Sequence, residues 1–395
     1  MTTPAPSAPP PRPLRPGHPA TAYVDLGAVA GNVRALRERA AGADVMVVVK
    51  ADAYGHGLVP VARAARSAGA GWLGTAQLAE AIALRDNGID GRVLAWLAVP
   101  GADFAGCLRR DIDLGVSDPW AVAEIAAAAR DTGRRARVHL KVDSGLGRAG
   151  AYAAGFTELL AAAGRAARDR RLEVVGVWSH LACADEPGHP SIRRQQEVFE
   201  AAVAEAERAG FAPEVRHLAN SPATLTDPSL HYDLVRVGLA AYGLSSVPQL
   251  GDPAAYGLTP VMTLVARLAL VKDVPAGHGV SYGHTYTTPR ATRLGLVPVG
   301  YGDGIPRRAS GVGPVSVGGQ RFTIAGRVCM DQVVIDLGPD STARPGDEVV
   351  IFGTGQHGEP TAQEWAVSTE TISYEIVTRL GPRVERVYVG SQEVG

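Results

Sequence analysis

Short apolar runs rich in β-branched residues alternate with alanine-, arginine- and glutamate-rich helical segments over roughly the first 250 residues. Eight strands with interposed helices predict a (β/α)8 TIM-type barrel, and a doubly wound α/β sheet is the alternative. Polar residues at the ends of most strands favour the barrel, because barrel active sites lie at those ends. The predicted strands are Val45–Val49, Trp72–Thr75, Val93–Trp96, Asp113–Val116, Val138–Val142, Val174–Trp178, Val215–Leu218 and Leu234–Val237.

The pattern changes after about residue 250, where strand-like runs follow one another with glycine turns and little helix. This texture predicts a second, mainly β domain with one late helix over Thr369–Leu380. The predicted domains are a disordered proline-rich tail over 1–19, the barrel over 20–249 and the mainly β domain over 250–395. The predicted strands of the last domain are Thr263–Val274, Leu294–Val299, Val315–Thr323, Gln332–Leu337 and Asp347–Phe352.

The composition is that of a globular protein with little net charge. Of the 395 residues 46% are hydrophobic and 20% charged, and the formal net charge is −1. We therefore expect neither nucleic acid nor a membrane as a partner, and no apolar run of the sequence reaches the length of a membrane span. Three cysteines without C-x-x-C spacing, and a tail without a signal-peptide core, predict a cytoplasmic protein.

The first predicted barrel strand, Val45–Val49, is followed directly by Lys50 and then by a turn that contains glycines. A parallel barrel strand delivers the residue at its end to the active-site face. Desolvation there lowers the pKa of a lysine and exposes its lone pair, which suits a covalent bond to a carbonyl carbon. The alternative is a lysine that extends from a strand end into solvent.

A second lysine and an arginine lie at and beyond the end of the fifth strand. Strand alternation places His139, Lys141 and Asp143 on one face, so Lys141 points into a barrel that already holds Lys50. Two buried ammonium groups need an anion. One solution is a carbamate, formed from CO2 on Lys141, that pairs with Arg148. The alternative is that Asp143 or another carboxylate pairs with Lys141.

The sixth and seventh strands are also followed by polar groups. His180, Cys183 and Asp185 follow the sixth strand; they could ligate a metal, although we favour a hydrogen-bonding role for His180. Asn220 and Ser221 follow the seventh strand and precede a proline, which predicts a helix start whose N–H groups bind an anion such as phosphate. The alternative is an ordinary helix cap.

An arginine, Arg236, lies within the otherwise apolar eighth strand and must find a hydrogen-bond acceptor there. Gly238, just beyond it, allows a ligand to approach the backbone closely. The second domain carries further polar candidates in loops and on the late helix, although each taken singly also fits a turn or core position. These candidates are Tyr282, Tyr301, Met330 and Tyr374.

Together these residues closely resemble the motifs of alanine racemase, a family of fold-type III enzymes that depend on pyridoxal phosphate (PLP). The resemblance runs from about Tyr23 to the C-terminus and omits only the proline-rich tail. Two positions depart from the family pattern: Gly302 stands where alanine is expected, and Asp52 where asparagine is common. Neither departure removes an assigned chemical group. The matching motifs are Val48-Val-Lys50-Ala-Asp-Ala-Tyr54-Gly-His-Gly57, Lys141-Val-Asp-Ser-Gly-Leu-Gly-Arg148, His217-Leu-Ala-Asn220-Ser221, Val280-Ser-Tyr282-Gly283 and Cys329-Met330-Asp331-Gln332.

The resemblance implies PLP-dependent interconversion of L-alanine and D-alanine, which supplies D-alanine for peptidoglycan. It implies a homodimer with shared sites, in which Lys50 binds PLP covalently and is one acid/base, and Tyr282 of the partner subunit is the other. Carboxylated Lys141 would align Arg148. The implied cofactor-binding residues are Lys50, Tyr54, Arg148, His180, Asn220, Ser221, Arg236, Gly238, Leu239 and Tyr374. The implied substrate-binding residues are Arg148, Met330 and Tyr301.

The implied roles agree with the chemistry of racemisation. PLP withdraws electrons from the substrate Cα, and two bases on opposite faces are needed because a single base returns the proton to its own side. A tyrosine with an ordinary pKa of about 10 needs help near neutral pH, for which we favour a relay of His180 and Arg236. An arginine beside the pyridine nitrogen cannot accept its proton, so the ring nitrogen stays neutral and transamination is limited.

Four other functions remain as alternatives. A racemase of broader specificity has the same residues. A metal-assisted PLP lyase would use His180 and Cys183 as ligands, whereas our interpretation includes no metal. A non-catalytic PLP carrier would lack the β domain that bears Tyr282. A decarboxylase of this fold would have a catalytic cysteine and a carboxylate facing the pyridine nitrogen, and the sequence offers neither.

Overall fold

The computed structural model describes residues 18–40 and 42–390. The predicted tail over 1–19 therefore lies outside the described residues except for its last two positions. The described residues form two compact units. We call residues 29–53 and 57–258 the barrel unit, and residues 18–28, 54–56 and 259–390 the β unit. The strand β1 (Ala20–Asp25) pairs with residues 262–266 and 385–389 and belongs to the β unit.

Eight parallel strands of the barrel unit form one sheet that is nearly closed into a barrel. The strand order is β8-β7-β6-β5-β4-β3-β2-β9, with every pair in parallel register. This confirms the predicted barrel over the doubly wound sheet. The strands are β2 (Asp44–Val48), β3 (Trp72–Gln77), β4 (Arg92–Leu97), β5 (Asp113–Val116), β6 (Ala136–Lys141), β7 (Leu172–Trp178), β8 (Val215–His217) and β9 (Leu234–Val237).

Helices follow the barrel strands. After several of these helices comes a glycine whose backbone angles are left-handed. Gly133 ends α6 with φ 67°, and Gly88 and Gly210 lie beyond α4 and α8 with φ 76° and 90°. Only glycine adopts these angles without strain. The helices are α1 (Leu26–Arg39), α2 (Lys50–Gly55), α3 (Leu58–Ser67), α4 (Leu78–Asp86), α5 (Phe104–Arg109), α6 (Pro119–Thr132), α7 (Ala154–Arg168), α8 (Pro190–Arg208) and α9 (Ser221–Thr226).

The β unit contains a six-stranded sheet in the order β16-β15-β18-β10-β1-β19, a three-stranded sheet β11-β14-β17 and a hairpin β12-β13. The mainly β character is as predicted from the sequence. Its strands besides β1 are β10 (Met262–Arg267), β11 (Leu270–Val274), β12 (Gly279–Val280), β13 (Tyr286–Thr287), β14 (Thr292–Val297), β15 (Pro314–Val317), β16 (Gln320–Thr323), β17 (Val333–Gly338), β18 (Glu348–Phe352) and β19 (Glu385–Val389). Its helices are α10 (Ala362–Ser368) and α11 (Ser373–Thr378).

Candidate active site

The backbone after Lys50 is a left-handed helical turn. From Ala51 to Tyr54 the φ angles lie between 53° and 55°, although none of the four residues is glycine. Left-handed helical backbone costs roughly 1–2 kcal/mol per non-glycine residue and is ordinarily adopted by single residues. The sequence predicts a turn here, but not its handedness. Such concentrated strain points to function at this segment.

The strand end that precedes Lys50 is held by the barrel unit itself. The Tyr242 hydroxyl donates to the carbonyl oxygen of Val48 at 2.9 Å, and the Val49 N–H donates to Gly74 O at 2.8 Å. Burial, and then the positive charge of Arg148, lower the pKa of Lys50, against a smaller opposing effect of Glu80. A lowered pKa favours the neutral amine, which is the nucleophilic form.

Lys141 lies at the end of β6 and is only 5% exposed. Its Nζ is 4.0 Å from the centre of the Trp178 ring. Burial, and then the charges of Arg236 and Arg148, lower the pKa of Lys141 to about 7, whereas Asp143 raises it by less. Asp143 instead uses Oδ1 to accept from the N–H groups of Gly145 and Gly147, at 2.9 and 3.1 Å. Asp143 therefore offsets only part of the lowering of the Lys141 pKa.

Arg236 is a buried cation on β9, 4% exposed. Its Nη2 donates to the carbonyl oxygens of Ser179 at 2.7 Å and Leu218 at 3.1 Å, and lies 3.2 Å from His180 Nδ1. Burial lowers the pKa of Arg236 to about 9, which still leaves it charged at neutral pH. Burial, and next the charge of Arg236, hold the pKa of His180 well below its usual range. The structure thus brings together the two residues of the predicted relay, with His180 neutral.

Ser221 and Asn220 start α9, as predicted for an anion site or an ordinary cap. Asn220 Oδ1 accepts from the Ala223 N–H at 3.3 Å, which is the geometry of a helix cap. Ser221 Oγ accepts from the N–H groups of Gly238 at 2.9 Å and Ala240 at 3.4 Å, and its own proton is then free for another acceptor. Ser221 and the start of the turn after β9, which includes Leu239, therefore form one hydrogen-bonded group.

The β unit holds the remaining predicted residues in two groups. In the first, the rings of Tyr54 and Tyr374 lie 6.0 Å apart at an angle of 41°. Burial, and then Tyr374, raise the pKa of Tyr54 above its usual range, so its hydroxyl remains a hydrogen-bond donor at neutral pH.

The second group consists of three adjoining loops, which carry Tyr282, Tyr301 and Met330. Ser281 Oγ donates to the carbonyl oxygen of Arg327 at 2.7 Å. The N–H of Tyr301 donates to Cys329 O at 3.0 Å, and the next N–H donates to Met330 O at 2.8 Å. The three residues are 71%, 43% and 53% exposed, in that order.

Arg383 links two of these loops. Its Nε donates to Asp303 Oδ1 at 2.8 Å and its Nη1 donates to Asp331 Oδ1 at 2.7 Å. Gly302 leaves room for this guanidinium, because a Cβ at that position would lie 2.7 Å from Arg383 Nη2 and 3.1 Å from Met330 O. Gly302, which departs from the family pattern, thus leaves space for Arg383 to bridge Asp303 and Asp331. We call this bridge the Arg383 clamp.

Three buried residues in the barrel were not among the predicted site residues: Asp113, His139 and His217. They continue the hydrogen bonds of Arg236 through the barrel interior. The available signal was a polar residue at an inward-facing position in each of three barrel strands. Alternation places His139 on the face of Lys141, but it does not show which way Asp113 and His217 point, so the signal was not decisive.

The structure also bears on two absences, within residues 18–40 and 42–390. In these ranges His, Cys, Asp and Glu side chains form no group of three or more that could hold a metal ion. Over the same ranges, none of the helices combines the length and apolar character of a membrane crossing.

Two family models match most of the chain. The model described as Alanine racemase, N-terminal domain, matches residues 24–246, and that described as Alanine racemase, C-terminal domain, matches 261–388. The chain belongs to the alanine racemase family. An alanine racemase of Streptomyces coelicolor is 58% identical over 375 residues, covering 94% of this chain and 96% of the relative.

Solved alanine racemase structures have the same fold. That from Streptomyces lavendulae has a TM-score of 0.94 at 57% identity, covering 96% of this chain and 99% of the other. The alanine racemase of Bacillus anthracis with bound L-Ala-P has a TM-score of 0.86 at 33% identity, covering 96% and 97%. These matches confirm the family and the enzyme class, an isomerase, that the motifs predicted.

Proposed function

We propose that this alanine racemase family member interconverts L-alanine and D-alanine with PLP bound at Lys50. The observation that carries the proposal is a lysine with a lowered pKa at the end of a barrel strand, followed by a strained left-handed turn. The names of the relatives support the substrate. Purified protein with added PLP should bring the optical rotation to zero from either L-alanine or D-alanine. Protein freed of PLP should do so only after PLP is added. A panel of other amino acids would measure the substrate range.

The barrel unit fits a doubly anionic cofactor. The charges of Arg236 and Arg148 add to burial in lowering the pKa of Lys141, and that of Arg148 does the same for Lys50. An anionic group would relieve this repulsion. The Ser221 hydroxyl, which lies beside Gly238 and Leu239 and has its proton available, suits a phosphate. We assign Tyr54 and Tyr374 to the same phosphate. PLP supplies an electron sink for the substrate Cα when bound.

We infer that the protein's own residues divide the remaining work. Lys50 and Tyr282 exchange the Cα proton on opposite faces, with Tyr282 supplied by the partner subunit of a homodimer. The exposure of the Tyr282 side chain, at 71%, supports a role toward a second copy. Arg148 and Met330 bind the substrate, and Tyr301 lines the entrance. Arg236 cannot take a proton from a ring nitrogen, which favours racemisation over transamination.

We also propose that the reaction supplies D-alanine for peptidoglycan in the cytoplasm. The three cysteines are free, which fits a reducing compartment. A deletion strain without another racemase should require D-alanine for growth, and plasmid-borne wild-type chain should remove that requirement. Growth of the deletion strain without D-alanine and without the plasmid would contradict the role in peptidoglycan supply, but not the racemisation itself.

Lys141 is expected to carry a carbamate when CO2 is present. A pKa of about 7 leaves much of the amine neutral, which is the form that reacts with CO2. The carbamate would replace one of the clustered positive charges with a negative one and give Arg148 an acceptor. With ¹³C-bicarbonate at neutral pH, the wild type should show a carbamate ¹³C signal that is absent from Lys141→Ala. Its presence in Lys141→Ala, or its absence from both, contradicts the assignment.

Gly302→Ala is expected to raise the KM for alanine by disturbing the Arg383 clamp. The new Cβ would push Arg383 Nη2 from a position 2.7 Å away, and the loops bearing Tyr301 and Met330 would loosen. The increase should be about two- to fivefold, the size expected for a displaced surface ion pair. In Arg383→Ala the closer contact is gone and only that with Met330 O at 3.1 Å remains, so adding Gly302→Ala should have little further effect. Additive effects of the two changes would show that the glycine matters for another reason.

A further inference from the structure

Four polar residues, Asp113, His139, His217 and Arg236, form a continuous hydrogen-bonded chain across the interior of the barrel, where bulky apolar residues are usual. We call this chain the file. Asp113 Oδ2 lies 3.3 Å from His139 Nε2. His139 Nδ1 lies 3.0 Å from His217 Nε2, and His217 Nδ1 lies 3.4 Å from Arg236 Nη1. All four residues are at most 4% exposed. Because burying polar groups is costly unless each one is paired, the file calls for a functional explanation.

Only one arrangement of protons satisfies this file. A guanidinium can only donate, so His217 Nδ1 must accept from Arg236 and His217 Nε2 must carry the proton. His139 Nδ1 then accepts from His217, which leaves the His139 proton on Nε2, where it donates to Asp113. A doubly protonated His139 would leave both rings donating toward each other. Both histidines are therefore neutral Nε2–H tautomers, and every donor points from Arg236 toward Asp113.

The surrounding residues are shaped to hold this file. His139 sits opposite Gly176 in the register of β6 and β7, where a Cβ would lie 2.2 Å from His139 Nδ1. The Trp178 ring stacks on His217 with centroids 5.4 Å apart and an interplanar angle of 2°. The Trp72 ring meets His139 edge-on at 5.4 Å. These contacts hold both rings in their observed orientation, so a change of tautomer would move protons and not the rings.

We propose that Asp113 and His139 are positioning residues for Arg236, acting through His217. The Asp113 carboxylate can only accept, so it fixes the His139 proton on Nε2. His139 Nδ1 then accepts from His217 Nε2–H, and His217 Nδ1 is left with a lone pair that faces Arg236. That acceptor, with the two carbonyl oxygens on Nη2, fixes the plane of the guanidinium. The proposal rests on the proposed function, in which Arg236 faces the pyridine nitrogen.

The competing explanation is that Asp113 only stabilises the barrel. It also lies 3.2 Å from Arg137 Nε and 3.5 Å from Arg92 Nη1. Glu214 contacts the same two arginines, at 2.8 and 3.2 Å, and is half-exposed. Glu214→Gln therefore removes a carboxylate from the same ion cluster and leaves the contact with His139 in place. It is the matched control for Asp113→Asn.

Asp113→Asn should allow the file to reverse. Arg137, the closer arginine, retains the amide oxygen, so the amide NH2 faces His139 and invites the Nδ1–H tautomer. A reversed file would turn an N–H of His217 toward Arg236. We expect kcat to fall about tenfold, the value of one charge-assisted hydrogen bond, with KM for alanine nearly unchanged. Glu214→Gln should leave kcat near that of the wild type.

Spectra of ¹⁵N-histidine-labelled holoenzyme give a readout that a purely structural role would not change. The wild type and Glu214→Gln should show His139 and His217 as Nε2–H tautomers, and Asp113→Asn should add Nδ1–H signals. Gly176→Ala, which displaces His139 without changing charge, should lower kcat similarly and add little to Asp113→Asn. The proposal is overturned by an Nδ1–H or protonated ring in the wild type, or by equal loss of kcat in Glu214→Gln. A wild type with the expected tautomers but no racemisation would overturn the proposed function instead.

Discussion

Replacing Lys50 with alanine should abolish measurable racemisation. Lys50 is proposed both to hold the cofactor and to exchange the Cα proton, and loss of a general base alone costs roughly 10²–10⁴-fold in rate. Loss of the covalent attachment adds to this, so we expect at least the upper end of the range. The measurement is the rate at which each alanine enantiomer loses optical rotation in the presence of excess PLP.

Two other lysines serve as controls for Lys50. Borohydride reduction of the wild-type holoenzyme should leave a PLP adduct on the peptide that contains Lys50, and the adduct should be absent from Lys50→Ala. Lys272, on β11, lies outside every predicted site, so Lys272→Ala should keep both adduct and rate. Labelling of Lys141 or Lys272 in place of Lys50 would refute the assignment.

Tyr282→Phe should separate the two directions of proton exchange. With Lys50 alone, the variant should still wash solvent deuterium into D-alanine, while exchange into L-alanine falls roughly 10²–10⁴-fold. Net racemisation must fall equally in both directions, because a catalyst cannot shift an equilibrium constant of one. The measurement is deuterium incorporation into each enantiomer by NMR. Equal loss of exchange for both enantiomers would mean that Tyr282 orients the substrate, and His180 would become the next candidate base.

The same two variants test whether sites are shared between subunits. Mixed Lys50→Ala and Tyr282→Phe chains, each inactive in racemisation, should regain part of the wild-type rate, because a mixed dimer contains one intact pair. Subunit exchange must be verified independently, for example with two affinity tags. No recovery in verified mixed dimers would place both residues of a site on one chain.

The barrel was predictable because its signals are local. Each parallel strand is an apolar run with polar residues at its end, and β5 and β9 have the bounds that the sequence predicts. Strand ends were less certain where polar residues extend the pairing, as at Gln77 of β3. In the β unit, the predicted run Thr263–Val274 is two strands, β10 and β11, because neighbouring apolar strands without a strong turn signal merge in the sequence.

Features that depend on distant parts of the chain were not predictable. The sequence placed Ala20–Asp25 with the barrel, but its pairing partners lie more than two hundred residues away. The late helix predicted over Thr369–Leu380 is the shorter α11 in the structure, and α10 before it was not predicted; Glu370 lies between the two at φ 56°. The tautomers of His139 and His217 follow only from their contacts, since composition gives no information on which nitrogen faces a donor.

Strand β1 lies between β10 and β19, so the six-stranded sheet needs residues from both ends of the described chain. Residues 261–388, taken as a fragment, lack the strand that pairs with Met262–Val265 on one side and Glu385–Tyr388 on the other. Such a fragment exposes two facing rows of unpaired N–H and C=O groups, which invite pairing between molecules. Both partners of β1 follow the barrel in the sequence, so the barrel residues are synthesised before β1 can pair.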